Sequence, residues 1–144
     1  MSAPPAGYLK IAVAGAGVNF GDILQCQGKY QEKRNPPFVP GMECSGRVIE
    51  VGEGVSTDVV VGDRVVCLGQ GVFASHAVVP ATSSFVLPRH LPETIDLSEA
   101  AALLVSYGTA HLALTSSGRA KPGETVLITA ASGGVGLACV ELAR

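Results

Sequence analysis

The 144-residue chain is 47% hydrophobic with a formal net charge of −2, and its mean hydropathy of +0.38 and isoelectric point near 5.9 describe an apolar, slightly acidic protein. That length suits one domain with a real core, or parts of two, and no apolar run approaches the ~18 residues a membrane span needs. The ten Lys and Arg residues are scattered, which argues against a nucleic-acid partner, and Met1 to Gly7 lacks the basic start and apolar core of an export signal, so a cytoplasmic location is expected.

Leu9, Ile11 and Val13 alternate with Lys10, Ala12 and Ala14, the period of a half-buried strand that Gly15 and Gly17 are expected to end. Val18-Asn19-Phe20-Gly21-Asp22 reads as a loop opening a short helix through Gln27, closed by Gly28-Lys29-Tyr30. Prolines 36, 37 and 40 frame a rigid connector, after which Cys44 to Val51 reads as a strand and Gly52-Glu53-Gly54 as a turn. Apolar runs flank the Gly62-Asp63 turn, and Phe73 to Val79 and Ser84 to Leu87 add short strands stopped by Pro80 and Pro88. Strands at such close spacing predict a compact barrel or a partly open sheet. At Asp96 the period changes. Asp96-Leu97-Ser98-Glu99 has the form of a capping box, and one helix is expected from there through Leu114, ended by Ser116-Ser117-Gly118.

Thr125 to Thr129 is rich in β-branched residues and runs into Ala130-Ala131-Ser132-Gly133-Gly134-Val135-Gly136, then into an apolar pattern with helical spacing. The order strand, small-residue turn, helix is the front half of a dinucleotide-binding unit. Glycines at 133, 134 and 136 let the backbone turn sharply and bring N–H groups close to a pyrophosphate, while the helix start adds unpaired donors and the positive end of its dipole. Alanine at position 130 makes this a variant of the G-x-G-x-x-G fingerprint. An ordinary tight connection is the alternative reading. A serine-esterase elbow fits less well, because Ser132 is flanked by Ala130 and Gly134 where two glycines are needed. The four cysteines, 26, 44, 67 and 139, show no C-x-x-C spacing and read as buried free thiols.

Eight short motifs occur in one order along the chain: Gly17-Val18-Asn19-Phe20-Gly21-Asp22, Gly28-Lys29-Tyr30, Pro40-Gly41-Met42-Glu43, Gly52-Glu53-Gly54-Val55, Gly62-Asp63-Arg64-Val65, Ala100-Ala101-Ala102-Leu103, Tyr107-Gly108-Thr109-Ala110, and Ala130 through Gly136. Together they resemble the zinc-independent quinone oxidoreductases of the medium-chain dehydrogenase/reductase superfamily, in the zeta-crystallin branch. The resemblance implies a mixed α/β chain: a GroES-like β-barrel domain over 1–95, then a linking helix and the first strand-loop-helix of a Rossmann cofactor domain over 96–144. It implies an NADPH-dependent reductase that passes hydride to a quinone or a conjugated carbonyl bound in the cleft between those domains. NADH stays open, because the ribose selector is expected about 20 residues beyond the glycines.

Carried over by resemblance, Asn19 and Asp22 sit near the nicotinamide mouth, Tyr30 lines the substrate side, and Thr109 approaches the nicotinamide ribose or amide. Ala130, Ser132, Gly133, Gly134, Val135 and Gly136 hold the pyrophosphate. Read from residue types alone, Asn19 and Asp22 equally suit helix caps, Tyr30 a half-buried ring, and Thr109 a bond to the preceding turn. His76, His90 and His111 have no partner at ligand spacing. No metal is expected. Zinc enzymes of the superfamily use a cysteine in the loop that here reads Val18 to Asp22 and a histidine where Met42 stands, and an amide and a thioether do not replace thiolate and imidazole.

The chain also departs from the family. The β-hairpin expected ahead of Leu9 is missing, and Arg144 follows the phosphate loop by only about two helical turns, so the sequence reads as truncated. Pro92-Glu93-Thr94-Ile95 reads as a short insertion, and Leu104, where many relatives have proline, implies a straighter linker. Two functions follow as expectations: an amino-terminal portion of the reductase, with its roles latent, or a non-catalytic interaction module. For the second, an unpaired edge at Thr125 would suit a homodimer or pairing with a full-length relative.

Overall fold

The computed structural model describes residues 3–56, 58–92, 94 and 96–144. Glu93 and Ile95 of the segment read as an insertion, and Met1 and Ser2, lie outside the described residues. The chain divides into two compact units, Met1–Ala102 and Leu103–Arg144. Among the described residues, no helix is long and apolar enough to cross a membrane.

The first unit is built on β1, Tyr8–Gly17, which runs through both glycines expected to end it. It pairs antiparallel with β2, Glu43–Val51, on one side and with β4, His76–Pro80, on the other. β2 continues to β3, Arg64–Leu68, and β3 to β5, Ser84–Val86, giving a five-stranded antiparallel sheet in the order β4-β1-β2-β3-β5. Two of the expected runs are shortened. Val59–Val61 forms no strand, and β4 begins at His76 rather than Phe73.

Register between β1 and β2 slips twice, leaving Ala14 and Ile49 as extra residues that bend the sheet. Inward-facing Leu9, Ile11, Cys44, Val48, Val65, Cys67, Val72 and Val79 form the core. Each of the large aliphatic side chains among them adds roughly 1.5–3 kcal/mol on removal from water. Lys10 is also buried, contrary to the simple alternation. Its ammonium is held 3.2 Å from Glu50 Oε2 across the β1–β2 ladder.

Cys44 and Cys67, 23 residues apart in sequence, stand directly opposite one another in the β2–β3 register. A sulfur hydrogen bond with Cys67 and burial hold the Cys44 thiol well above the usual thiol range. Cys26 is exposed and Cys139 partly so, against the expectation that all four are buried. A thiol reagent applied to the native protein is therefore expected to label Cys26 first, with Cys44 and Cys67 reacting only after unfolding. Mass mapping of labelled peptides checks this, and early labelling at Cys44 would refute the packing described.

The Gly62-Asp63-Arg64-Val65 motif fastens the segment after β5. Asp63 receives Arg89 Nε and Nη2 at 2.8 Å each and the Val60 N–H at 2.9 Å. Arg64 donates to the carbonyls of Leu91 and Pro92 at 2.6 and 2.8 Å. The Arg89 fork is the main reason that the Asp63 carboxyl lies below its ordinary 3.8. A depressed folded pKa contributes stability that is present above the unfolded value and is lost as pH falls through the folded one. Arg89→Ala is thus expected to lower the urea midpoint at neutral pH. The difference from wild type should shrink once the pH drops below about 4, where the unfolded carboxyl begins to protonate. A difference that stays constant down to acid pH would exclude this pair as its source.

α1, Phe20–Cys26, follows β1 directly with Asn19 as its N-cap. α2, Leu97–Ala100, is capped by Asp96, whose carboxylate accepts from the Ser98 N–H at 2.7 Å. It packs on β1 and β2, so that a methyl at Gly15 would stand 2.7 Å from Ser98 Cα. The single helix expected over 96–114 is broken by a turn at Ala101-Ala102. Leu104 therefore does not make the linker continuous.

In the second unit, α3, Leu103–His111, relaxes into a wider π-helical turn over Leu112–Ser117, where Thr115 Oγ1 donates back to the His111 carbonyl at 2.7 Å. α4, Gly134–Leu142, packs against α3 through small side chains. Ala110 and Ala138 are fully buried, Ser106 abuts Gly134, and the Tyr107 hydroxyl donates to Glu141. The strand expected at Thr125–Thr129 is absent. A strand needs a hydrogen-bonded neighbour, the strands among the described residues all belong to the first unit, and Leu127 remains 89% exposed.

Candidate functional site

The predicted site residues fall into two groups, one in each unit. In the first unit, the connection from β1 to α1 places Asn19 between two carboxylates. Asp22, 2% exposed, accepts the Asn19 backbone N–H on Oδ2 at 2.8 Å. Glu43, 1% exposed at the first position of β2, accepts the Asn19 side-chain Nδ2 on Oε1 at 2.9 Å. A longer contact of 3.5 Å joins the same Nδ2 to the Gly17 carbonyl. Asn19 and Asp22 therefore form a reciprocal capping box at the start of α1, as their residue types alone allow, while Asn19 Nδ2 reaches toward Glu43 on β2.

Gly17 and Gly21 make room for this arrangement. A methyl at Gly17 would lie 2.4 Å from Glu43 Oε1, and one at Gly21 would lie 2.4 Å from Met42 Cε and 3.3 Å from Tyr30 Cε2. Tyr30 is half-buried beside Met42 over the first turn of α1. Asn19, Asp22 and Tyr30 are thus neighbours around α1. Two further polar groups on the inner face of that helix, Asp22 Oδ1 and the Gln25 amide, are buried without a hydrogen-bond partner among the described residues.

The second group surrounds the start of α4. Ala130 adopts a φ of +51°, in the left-handed region, and turns the chain so that the Gly133 N–H donates to its carbonyl at 3.0 Å. Gly136 then passes over that carbonyl so closely that a methyl would stand 2.3 Å from the oxygen and 2.7 Å from Ala131 Cα. Ala130, Gly133, Gly134, Val135 and Gly136 line a pocket of about 420 Å³ with Ile128, Thr129 and Cys139. The N–H groups of the first helical turn have no intrahelical acceptor and carry the positive end of the helix dipole, which suits an anion. Thr109, exposed on α3, and Ser132 fall outside the lining of this pocket.

Sequence reasoning missed Glu43 and Ser106 as site neighbours. The signal for Glu43 was a carboxylate at the head of an apolar strand, a position that needs a partner. Nothing in the sequence singled out Ser106.

The alcohol dehydrogenase GroES-like domain family matches residues 5–89, more than half of the chain and the whole of the five-stranded sheet. The chain belongs to that family. Within this GroES-like family, mouse quinone oxidoreductase-like protein 2 is 50% identical over 137 residues, covering 94% of the chain and 37% of the relative. The crystal structure of the human synaptic vesicle membrane protein VAT-1 homolog-like protein superposes with a TM-score of 0.89 at 34% identity, covering 99% of this chain and 45% of that one. The quinone oxidoreductase from Thermus thermophilus, solved also in complex with NADPH, superposes at 0.78 with 39% identity, covering 100% of this chain and 44% of that one. The chain thus spans less than half the length of these relatives. They place it in the medium-chain dehydrogenase/reductase superfamily, with the GroES-like sheet and mixed α/β composition that its motifs implied.

Proposed function

We propose that the chain serves zinc-independent, NADPH-dependent transfer of hydride to a quinone or a conjugated carbonyl. The observation that carries this reading is the glycine loop at the start of α4, where close backbone passage and the unpaired N–H groups of the first helical turn border an open pocket of about 420 Å³ suited to an anion. The naming of the mouse relative and the NADPH complex of the Thermus relative support it. When bound, the cofactor supplies the hydride. The residues of the second unit hold its pyrophosphate, while Asn19, Asp22 and Tyr30 line the nicotinamide and substrate side. Independence from zinc rests on donor chemistry: Asn19 offers an amide already engaged with Glu43, and Met42 offers a thioether.

The test is NADPH binding to the 144-residue chain, followed by nicotinamide fluorescence, with Gly133→Val as control. Gly133 lies in extended backbone, and its added Cβ would meet only the Ala130 carbonyl, at 3.4 Å. The variant therefore keeps the loop path while placing bulk where phosphate approaches. Saturable binding lost in the variant is the expected result, and a folded chain that shows no saturable binding would overturn the proposal. An interaction module is the second reading, favoured by the exposure of Leu127 in a segment that has no ladder. Self-association that disappears in Leu127→Lys, without NADPH binding, would move that reading to the front.

A further inference from the structure

We infer that Glu43 is a positioning residue that fixes the orientation of the Asn19 amide, so that Asn19 meets a ligand as a hydrogen-bond acceptor and not as a donor. An asparagine amide has two donor hydrogens on nitrogen and an acceptor oxygen, and its orientation follows from what its partners are able to do. Here both neighbours of Nδ2 are acceptors: Glu43 Oε1 at 2.9 Å and the Gly17 carbonyl at 3.5 Å. Rotating the amide would set Oδ1 against these two oxygens. The backbone N–H of Asn19 is likewise occupied, by Asp22 Oδ2 at 2.8 Å. With its donors engaged, Asn19 has only Oδ1 left to offer, and since the capping box sets that oxygen toward the Asp22 N–H, a ligand meets its second lone pair.

Glu43 is held for this task. It is 1% exposed, and its carboxyl lies over Gly17, where any side chain would collide with it. A charge-assisted hydrogen bond in so dry a setting is stronger than one exposed to water. The chemical consequence rests on the proposed cofactor-side role of Asn19. A ligand group that meets Asn19 must bring an N–H or O–H, such as a primary carboxamide or a sugar hydroxyl, and Asn19 does not supply a hydrogen bond to the carbonyl oxygen being reduced.

The chain contains two asparagines, and Asn35 is exposed, which provides an internal reference. In 15N-labelled protein, with the Asn19 side chain assigned by through-bond spectra, its amide protons are expected to exchange with water about tenfold or more slowly than those of Asn35. Glu43→Met, whose thioether is at most a weak acceptor, should remove most of that protection while the remaining spectrum stays dispersed, and Glu43→Gln, whose amide oxygen still accepts, should retain part of it. Equal exchange at Asn19 and Asn35 in the wild type would overturn the inference without any variant. So would protection that survives in full in a folded Glu43→Met variant. Adding NADPH to the wild type separates this from the functional proposal. Binding that leaves the Asn19 protons slow agrees with the acceptor role, and binding that releases them from Glu43 refutes it. If NADPH does not bind, the cofactor reading fails while the orientation is still decided by the exchange rates.

Discussion

Replacing Gly136 with alanine is expected to weaken NADPH binding far more than replacing Gly133 with alanine. At Gly136 the new methyl would lie 2.3 Å from the Ala130 carbonyl oxygen and 2.7 Å from Ala131 Cα, both of them backbone atoms that cannot swing aside. The loop has to open, at about 1–3 kcal/mol, which corresponds to roughly 5- to 150-fold in affinity. At Gly133 the methyl would stand 3.4 Å from the nearest atom, a normal contact. Paired fluorescence titrations of Gly133→Ala and Gly136→Ala measure the ratio directly. Similar affinities for the two variants would mean that the loop does not hold the cofactor in the geometry described.

Gly46→Ala is expected to be the most damaging single substitution in the first unit. Gly46 lies in β2 opposite Val13, beside the bulge at Ala14, and an added Cβ would be 2.1 Å from the Ala12 carbonyl oxygen and 2.7 Å from Ile11 Cγ2. One of these neighbours belongs to the backbone of the central strand, and the other is a core side chain, so relief requires β1 and β2 to separate. The cost is about 3 kcal/mol, a large share of the total stability of a domain. It should lower the urea midpoint by roughly 1–2 M. Equilibrium unfolding followed by circular dichroism checks this, and an unchanged midpoint would show that the strands approach less closely than described. Replacement is milder at Gly54 in the same unit. Gly54 has nothing within 4 Å of its added Cβ, so any cost there comes only from its φ of +73°.

Features encoded within a few residues of one another were legible in the chain. The cap at Asp96, the turn chemistry at Gly62, and the small-residue loop before α4 each depend on local backbone preference, and each formed where its residues stand. The strands of the sheet followed from their two-residue period, although β1 ran through Gly15 and Gly17. Pairing with β2 outweighs the intrinsic strand penalty of glycine there. The expected strand at Thr125–Thr129 shows the opposite balance. Its β-branched side chains favour extended backbone, but hydrogen bonds to a neighbour make a strand, and none is present in that unit.

By itself, the sequence determined most of the element types, the turns and the place of the small-residue loop, because these rest on propensity, capping and glycine geometry over spans of a few residues. Only the tertiary structure decided which distant groups meet. Glu43 lies 24 residues from the Asn19 amide that it holds, Arg89 lies 26 residues from Asp63, and Cys44 faces Cys67 across a ladder. Such pairs are set by strand register. A shift of one position turns every side chain to the opposite face, so the partner of a buried polar group depends on the folded sheet as a whole.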